Sequence, residues 1–174
     1  VVEMMTMTPL RHLATRERDR RGLLASAVRA TSDRARLDVG ERLVLIVDDY
    51  EDTRLLYVEH LEEAGFRVVE ATDGEEATRL ALTLRPDVIL MDLSMPKLDG
   101  WDATRRIRAD EGMKGTYIIA LSAMDGEISR RMAFDAGCND FIAKPFLAQA
   151  LVQILVAHFR DEPGDTSGSS GTDA

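Results

Sequence analysis

The chain is short of cysteine, of positive charge and of long apolar runs, and each shortage excludes something. One cysteine, Cys138, rules out an internal disulfide and fits a reducing compartment. Lys and Arg number 22 against 31 Asp and Glu, a net charge of −9 that is a poor basis for general nucleic-acid affinity. No apolar stretch is long enough to span a bilayer, and the N-terminus lacks the apolar core of a secretion signal. The expectation is a cytoplasmic protein with no membrane attachment.

What is present suits one domain with a proper core plus extra segments: 174 residues, 45% of them hydrophobic. Residues 1–40 carry eight Arg against five acids, so +3, whereas residues 161–174 are Gly, Ser and acid. The composition divides the chain into an Arg-rich extension (1–40), an organised domain (41–160) and a disordered acidic tail (161–174). The basic residues of the extension are interleaved with Glu17, Asp19, Asp33 and Asp38. That favours a solvated arm over a docking arm for an acidic partner or membrane.

Within 41–160, short apolar runs at 43–47, 68–69, 88–91, 117–121 and 141–143 alternate with segments of helical length. Helices are expected over 53–64, with Asp52 as N-cap and Gly65 as the stop, and over 74–84 after Asp73. Others fall at 101–109, at 127–136 before Gly137, and at about 147–159. Strict βα alternation means α/β architecture, a five-stranded parallel sheet with helices on both faces. Among such (βα)5 sheets the doubly wound, flavodoxin-like order 2-1-3-4-5 is the one expected.

In such a sheet ligands bind beyond the carboxyl ends of the strands, where the strand order reverses. Asp48 and Asp49 close the first strand, Asp92 the third, Ser122 the fourth and Lys144 the fifth. Strand two ends in Glu70-Ala71 and offers nothing to the groove. Asp48 and Asp49 can both face it only if the chain leaves the strand there. Taken singly, each has an ordinary reading: a turn or cap acid, a loop hydroxyl, a solvated cation. Those readings do not predict that all five fall at strand ends in the right order. Carboxylates a few ångström apart repel by ~4 kcal/mol per pair at an effective dielectric near 20, so they stay ionised only with a cation among them, and otherwise one takes up a proton. All-oxygen ligands suit Mg²⁺. Mg²⁺ beside a carboxylate nucleophile, an ammonium and a hydroxyl is equipment for phosphoryl transfer, with Asp92 as the attacking group.

Leu45-Ile46-Val47-Asp48-Asp49, Met91-Asp92-Leu93-Ser94-Met95-Pro96, Asp99-Gly100, Ala120-Leu121-Ser122-Ala123 and Lys144-Pro145-Phe146 together resemble the receiver (CheY-like) domain of two-component response regulators, over about residues 42–160. The resemblance implies Asp92 as phosphoacceptor and Mg²⁺ held by Asp49, Asp92 and the backbone carbonyl of Ser94, with Asp48 acting mostly through water. It implies Lys144 pairing with the phosphoryl group, Ser122 as the switch hydroxyl and Phe141 as the switch aromatic. The donor would be a sensor histidine kinase or a histidine phosphotransfer protein. The output would be a protein contact on the helix 4–strand 5–helix 5 face, where Arg130, Arg131, Met132 and Phe134 are readout candidates.

Met124, two residues beyond Ser122, has no carboxylate or amide to orient a water, so a long-lived acyl phosphate is expected. The chain reads as no enzyme beyond Mg²⁺-dependent self-phosphorylation and slow self-dephosphorylation. The rival is a phosphorylation-independent receiver-like interaction module, which usually lacks part of the acid-plus-Lys set kept here. With about 14 residues after the last helix and no helix-turn-helix pattern in 1–40, a stand-alone receiver without direct DNA binding is expected.

Overall fold

Val, Ile and Leu fill the short apolar runs, and in the computed structural model each run becomes a parallel strand. The structure describes residues 42–96, 98–124 and 126–161. The expected extension over 1–40 and the tail beyond 161 lie outside the described residues. The strands are β1 (Leu43–Val47), β2 (Arg67–Ala71), β3 (Val88–Asp92), β4 (Tyr117–Ser122) and β5 (Asp140–Ala143). They alternate with helices α1 (Glu51–Glu63), α2 (Gly74–Leu84), α3 (Gly100–Arg108), α4 (Glu127–Ala136) and α5 (Ala148–Asp161). One 3₁₀ turn, Glu111–Met113, precedes β4. The sheet order is β2-β1-β3-β4-β5, all parallel, as the alternation requires.

Successive side chains on each strand feed two separate cores. Val44, Ile46, Val88, Leu90, Ile119 and Leu121 pack under α1 and α5, against Tyr57, Leu61, Leu151 and Leu155. Leu45, Val47, Ile89, Met91, Ile118 and Ala120 pack under α2, α3 and α4, against Ala81, Ile107 and Ala133. All five residues of β3 are buried, as a central strand covered on both faces must be. Each large side chain so buried contributes about 1.5–3 kcal/mol, which makes β3 the natural axis of the domain.

Several boundaries shift for identifiable reasons. α1 starts two residues before its expected position, and its N-cap is Tyr50, not Asp52. The Asp48 carboxylate accepts the Tyr50 N–H at 2.9 Å, so the turn closes earlier. Asp52 then sits with Glu51 in the first turn, where a negative charge favours the helix dipole. The helix ends at Glu63 with Ala64 as its C-cap, and Gly65 just beyond takes the left-handed φ of 99° that glycine tolerates. β2 extends on both sides of Val68-Val69 because it pairs with all of β1. α5 continues through Asp161, two residues past the periodic stripe.

Candidate functional site

Strand parity decides which side of the sheet each polar residue serves. Asp92 shares its face with Val88 and Leu90, on the α1/α5 side; Asp48 and Lys144 continue the same parity from β1 and β5. Ser122 and Phe141 have the opposite parity, with Ile118 and Ala120, on the α2–α4 side. β1 stops at Val47, so Asp48 and Asp49 lie on the loop where the chain leaves the strand.

The three carboxylates converge, with one oxygen from each of Asp48, Asp49 and Asp92 within 4.8 Å of the others. Lys144 bridges two of them, its Nζ donating to Asp48 Oδ2 at 2.8 Å and to Asp92 Oδ2 at 2.7 Å. Asp48 is 0% exposed and Asp92 4%. Burial pushes the Asp48 carboxyl above its ordinary value, against the lowering effect of Lys144 and the Tyr50 N–H. Burial alone would lower the Lys144 ammonium, but its bonds to Asp48 and Asp92 outweigh that and raise it. Asp92 Oδ1 accepts the Ser94 N–H at 2.9 Å. Beneath it, Gly100 lies so close that a Cβ there would sit 2.2 Å from the Asp92 carbonyl oxygen.

Both oxygens of Asp48 are therefore taken by protein donors. Asp49 differs: its Oδ1 is buried and has no hydrogen-bond partner among the described residues. A buried carboxylate oxygen without a donor is costly unless a cation or water meets it. Three carboxylates and one ammonium leave a formal charge of −2 in the notch, with oxygen ligands only. A hard divalent cation such as Mg²⁺ fits that donor set.

The hydroxyl end of the site is built differently. Ser122 Oγ donates to the Met124 carbonyl and accepts the Met124 N–H, both at 3.0 Å, so its bonds stay within its own loop. Its carbonyl accepts the Lys144 N–H at 2.7 Å. Phe141 is buried, and the Arg130 guanidinium lies 5.2 Å from its ring centroid. Arg130, Arg131, Met132 and Phe134 are all on the exposed side of α4, whose core contacts come from Ala133 and Ala136. Ile128, which the sequence did not single out, is the most exposed large hydrophobic residue of that face at 77%.

Two further residues escaped the sequence reading. Arg54, in the first turns of α1, donates from Nη1 to the Asp48 carbonyl at 2.9 Å and from Nε to Glu70 at 3.1 Å. Strand two contributes no side chain to the acidic cluster, but its Glu70 pairs with Arg54, which in turn bonds the Asp48 backbone. The available signal was a cation near a helix N-terminus, where the dipole disfavours it.

Comparison with known proteins agrees with this geometry. The response regulator receiver domain profile matches residues 44–156. The chain is 40% identical over 119 residues to the chemotaxis protein CheY of Thermotoga maritima, covering 67% of this chain and 96% of that one. It is 38% identical over 103 residues to the alkaline phosphatase synthesis transcriptional regulatory protein PhoP of Bacillus subtilis, covering 59% of this chain and 42% of that one. The chain spans about half the length of such transcriptional regulators. Among solved structures, the receiver domain of the Pseudomonas aeruginosa sensor histidine kinase PA1611 superposes with a TM-score of 0.64 at 38% identity, over 70% of this chain and 99% of that one. That structure has a magnesium ion coordinated in its active-site cleft. Vibrio cholerae CheY4 superposes equally well, with a TM-score of 0.64 at 30% identity, over 67% of this chain and 97% of that one.

Proposed function

We propose, for a chain that belongs to the response regulator receiver domain family of two-component signalling, that Asp92 accepts a phosphoryl group and so switches a protein-binding face. The observation that carries this reading is the Lys144 ammonium bonded to Asp48 and Asp92 together, beside an Asp49 oxygen with no donor among the described residues. An Asp92 carboxylate oxygen attacks the phosphorus of a phosphohistidine. The P–N bond breaks, its electron pair stays on the imidazole, and an acyl phosphate forms.

Asp49, Asp92 and the Ser94 carbonyl are the residues that would hold Mg²⁺, with Asp48 behind them. The ion supplies neutralisation of charge on the phosphoryl oxygens. Lys144 provides the second positive charge, already oriented by its two carboxylates. Ser122 turns its hydroxyl from the Met124 backbone towards the new acceptor oxygens, and Phe141 adjusts beside it. The phosphoryl group stabilises whichever arrangement it contacts better, which biases the α4–β5–α5 face. A sensor histidine kinase or histidine phosphotransfer protein would be the donor, and a protein docking on α4–β5–α5 the target. The chemistry on this reading is Mg²⁺-dependent self-phosphorylation at Asp92 and slow self-dephosphorylation.

The test incubates the unaltered protein and Asp92→Asn with Mg²⁺ and acetyl phosphate and follows the phosphorylated fraction by intact mass. Labelling of the unaltered chain, lost in Asp92→Asn and on chelation of the metal, is expected. Labelling of neither overturns the reading and leaves a phosphorylation-independent interaction module, whereas equal labelling of both overturns Asp92 as the acceptor.

A further inference from the structure

A helix that begins beside a cation site should not carry an arginine in its first turns, since the dipole and the cation both repel it. Arg54 nevertheless sits there, with its side chain only 11% exposed. Its contacts explain the placement. Nε bonds Glu70 Oε2 on the edge strand at 3.1 Å, and Nη1 bonds the Asp48 backbone carbonyl at 2.9 Å. The Asp48 N–H, on the other side of the same residue, bonds the Ala71 carbonyl of β2 at 3.3 Å. The residue before Asp49 is thus tied to strand β2 twice, once directly and once through Arg54.

These bonds decide how Asp49 is presented. The Asp48 carbonyl belongs to the peptide that joins Asp48 to Asp49, and the guanidinium fixes its plane. The Tyr50 N–H bond to the Asp48 carboxylate closes a ring through that same peptide, and the guanidinium adds a hold on it from the carbonyl oxygen. A planar guanidinium that reaches two acceptors at a set angle is suited to the task, and an ammonium is not. Glu70 also neutralises Arg54, so the guanidinium stays on the backbone rather than turning to the carboxylates of the notch.

We propose that Arg54 is a positioning residue for the cation-binding turn, held in place by Glu70 of the edge strand. This rests on the reading that a divalent ion binds at Asp49 and Asp92. Partners that orient metal ligands typically matter by 10–100-fold in affinity. Opposite signs separate positioning from plain electrostatics. If Arg54 acted only as a nearby positive charge, removing it would tighten cation binding. As a positioning residue, its removal weakens binding.

The experiment measures Mn²⁺ binding by electron paramagnetic resonance of the free ion in the unaltered protein, Arg54→Met, Arg54→Lys and Glu70→Gln, each checked for folding by thermal melting. Arg54→Met should raise the dissociation constant about tenfold. Arg54→Lys, which keeps the charge but not the fork, should also weaken binding and carries the test if Arg54→Met fails to fold. Glu70→Gln should show a smaller loss in the same direction. Unchanged or tighter Mn²⁺ binding in the Arg54 variants overturns the inference and leaves the phosphoacceptor reading standing. Failure of the unaltered protein to bind Mn²⁺ overturns both.

Discussion

The two ends of the site edge are held in different ways. At the β1 end, Asp48 has both carboxylate oxygens bonded and its backbone tied to β2 by two routes. At the β4 end, the Ser122 hydroxyl bonds only its own loop, the N-cap of α4 is Gly126 with no side-chain cap, and α4 exposes Ile128, Met132 and Phe134. The acid end is bonded across to neighbouring strands, whereas the hydroxyl end is bonded within its own loop. On the proposed function, the region that would do the chemistry is the more firmly bonded and the region that would report it the less so.

Breaking the rigid end should give the largest effect. A Cβ at Gly100 would meet the Asp92 carbonyl oxygen and, at 2.8 Å, the Leu93 Cα, both backbone. Gly100→Ala should therefore cost about 3 kcal/mol in thermal or denaturant unfolding and weaken Mn²⁺ binding as well. An equally stable variant with full affinity would show that the acid end is not rigid. Next, the contrast itself can be read by hydrogen exchange. Amides in the first turns of α4 should exchange at least about a hundredfold faster than those of β1 and β3. Similar protection at both ends would abolish the distinction.

A smaller effect is expected from the adjustable end. Met124→Glu places a carboxylate where a water could be oriented, and acyl phosphate loss should accelerate about tenfold. Dephosphorylation timed by intact mass checks this; an unchanged lifetime would show that the loop cannot bring the new group to bear.

The smallest effect lies away from both ends. Thr72, through its backbone N–H and its hydroxyl, holds the Glu76 carboxyl below its ordinary value of 4.5. A depressed carboxyl adds stability that is present above the ordinary value and is lost as pH falls through the folded one. Glu76→Gln should flatten the acid limb of a melting-temperature profile slightly, with no change in Mn²⁺ affinity. A shift in affinity would mean that α2 is coupled to the notch.

Much of this was legible in the sequence because the polar residues fall at the ends of the apolar runs, and in a parallel sheet that alone gathers them. The parallel sheet and the placement of Asp48, Asp49, Asp92, Ser122 and Lys144 at strand ends followed from run length and succession, and the strand order from the doubly wound arrangement such sheets adopt. Parity, which puts Ser122 and Phe141 on one face and the acids on the other, needed the strand limits to the residue. The Asp52 cap failed because a carboxylate from the preceding loop had already bonded Tyr50. The Arg54–Glu70 pair was hidden because it depends on β2 lying beside β1, a contact between elements that local pattern does not encode.

The sheet also acts as a partition wall. Asp92 and Lys144 stand in one room and Phe141 in the other, and a side chain cannot pass through five hydrogen-bonded strands. News of what happens at Asp92 must cross at the open rim. Ser122 stands at that doorway, its carbonyl linked to the Lys144 backbone and its hydroxyl turned to the far side. A group large enough to be felt there need not push on the core at all.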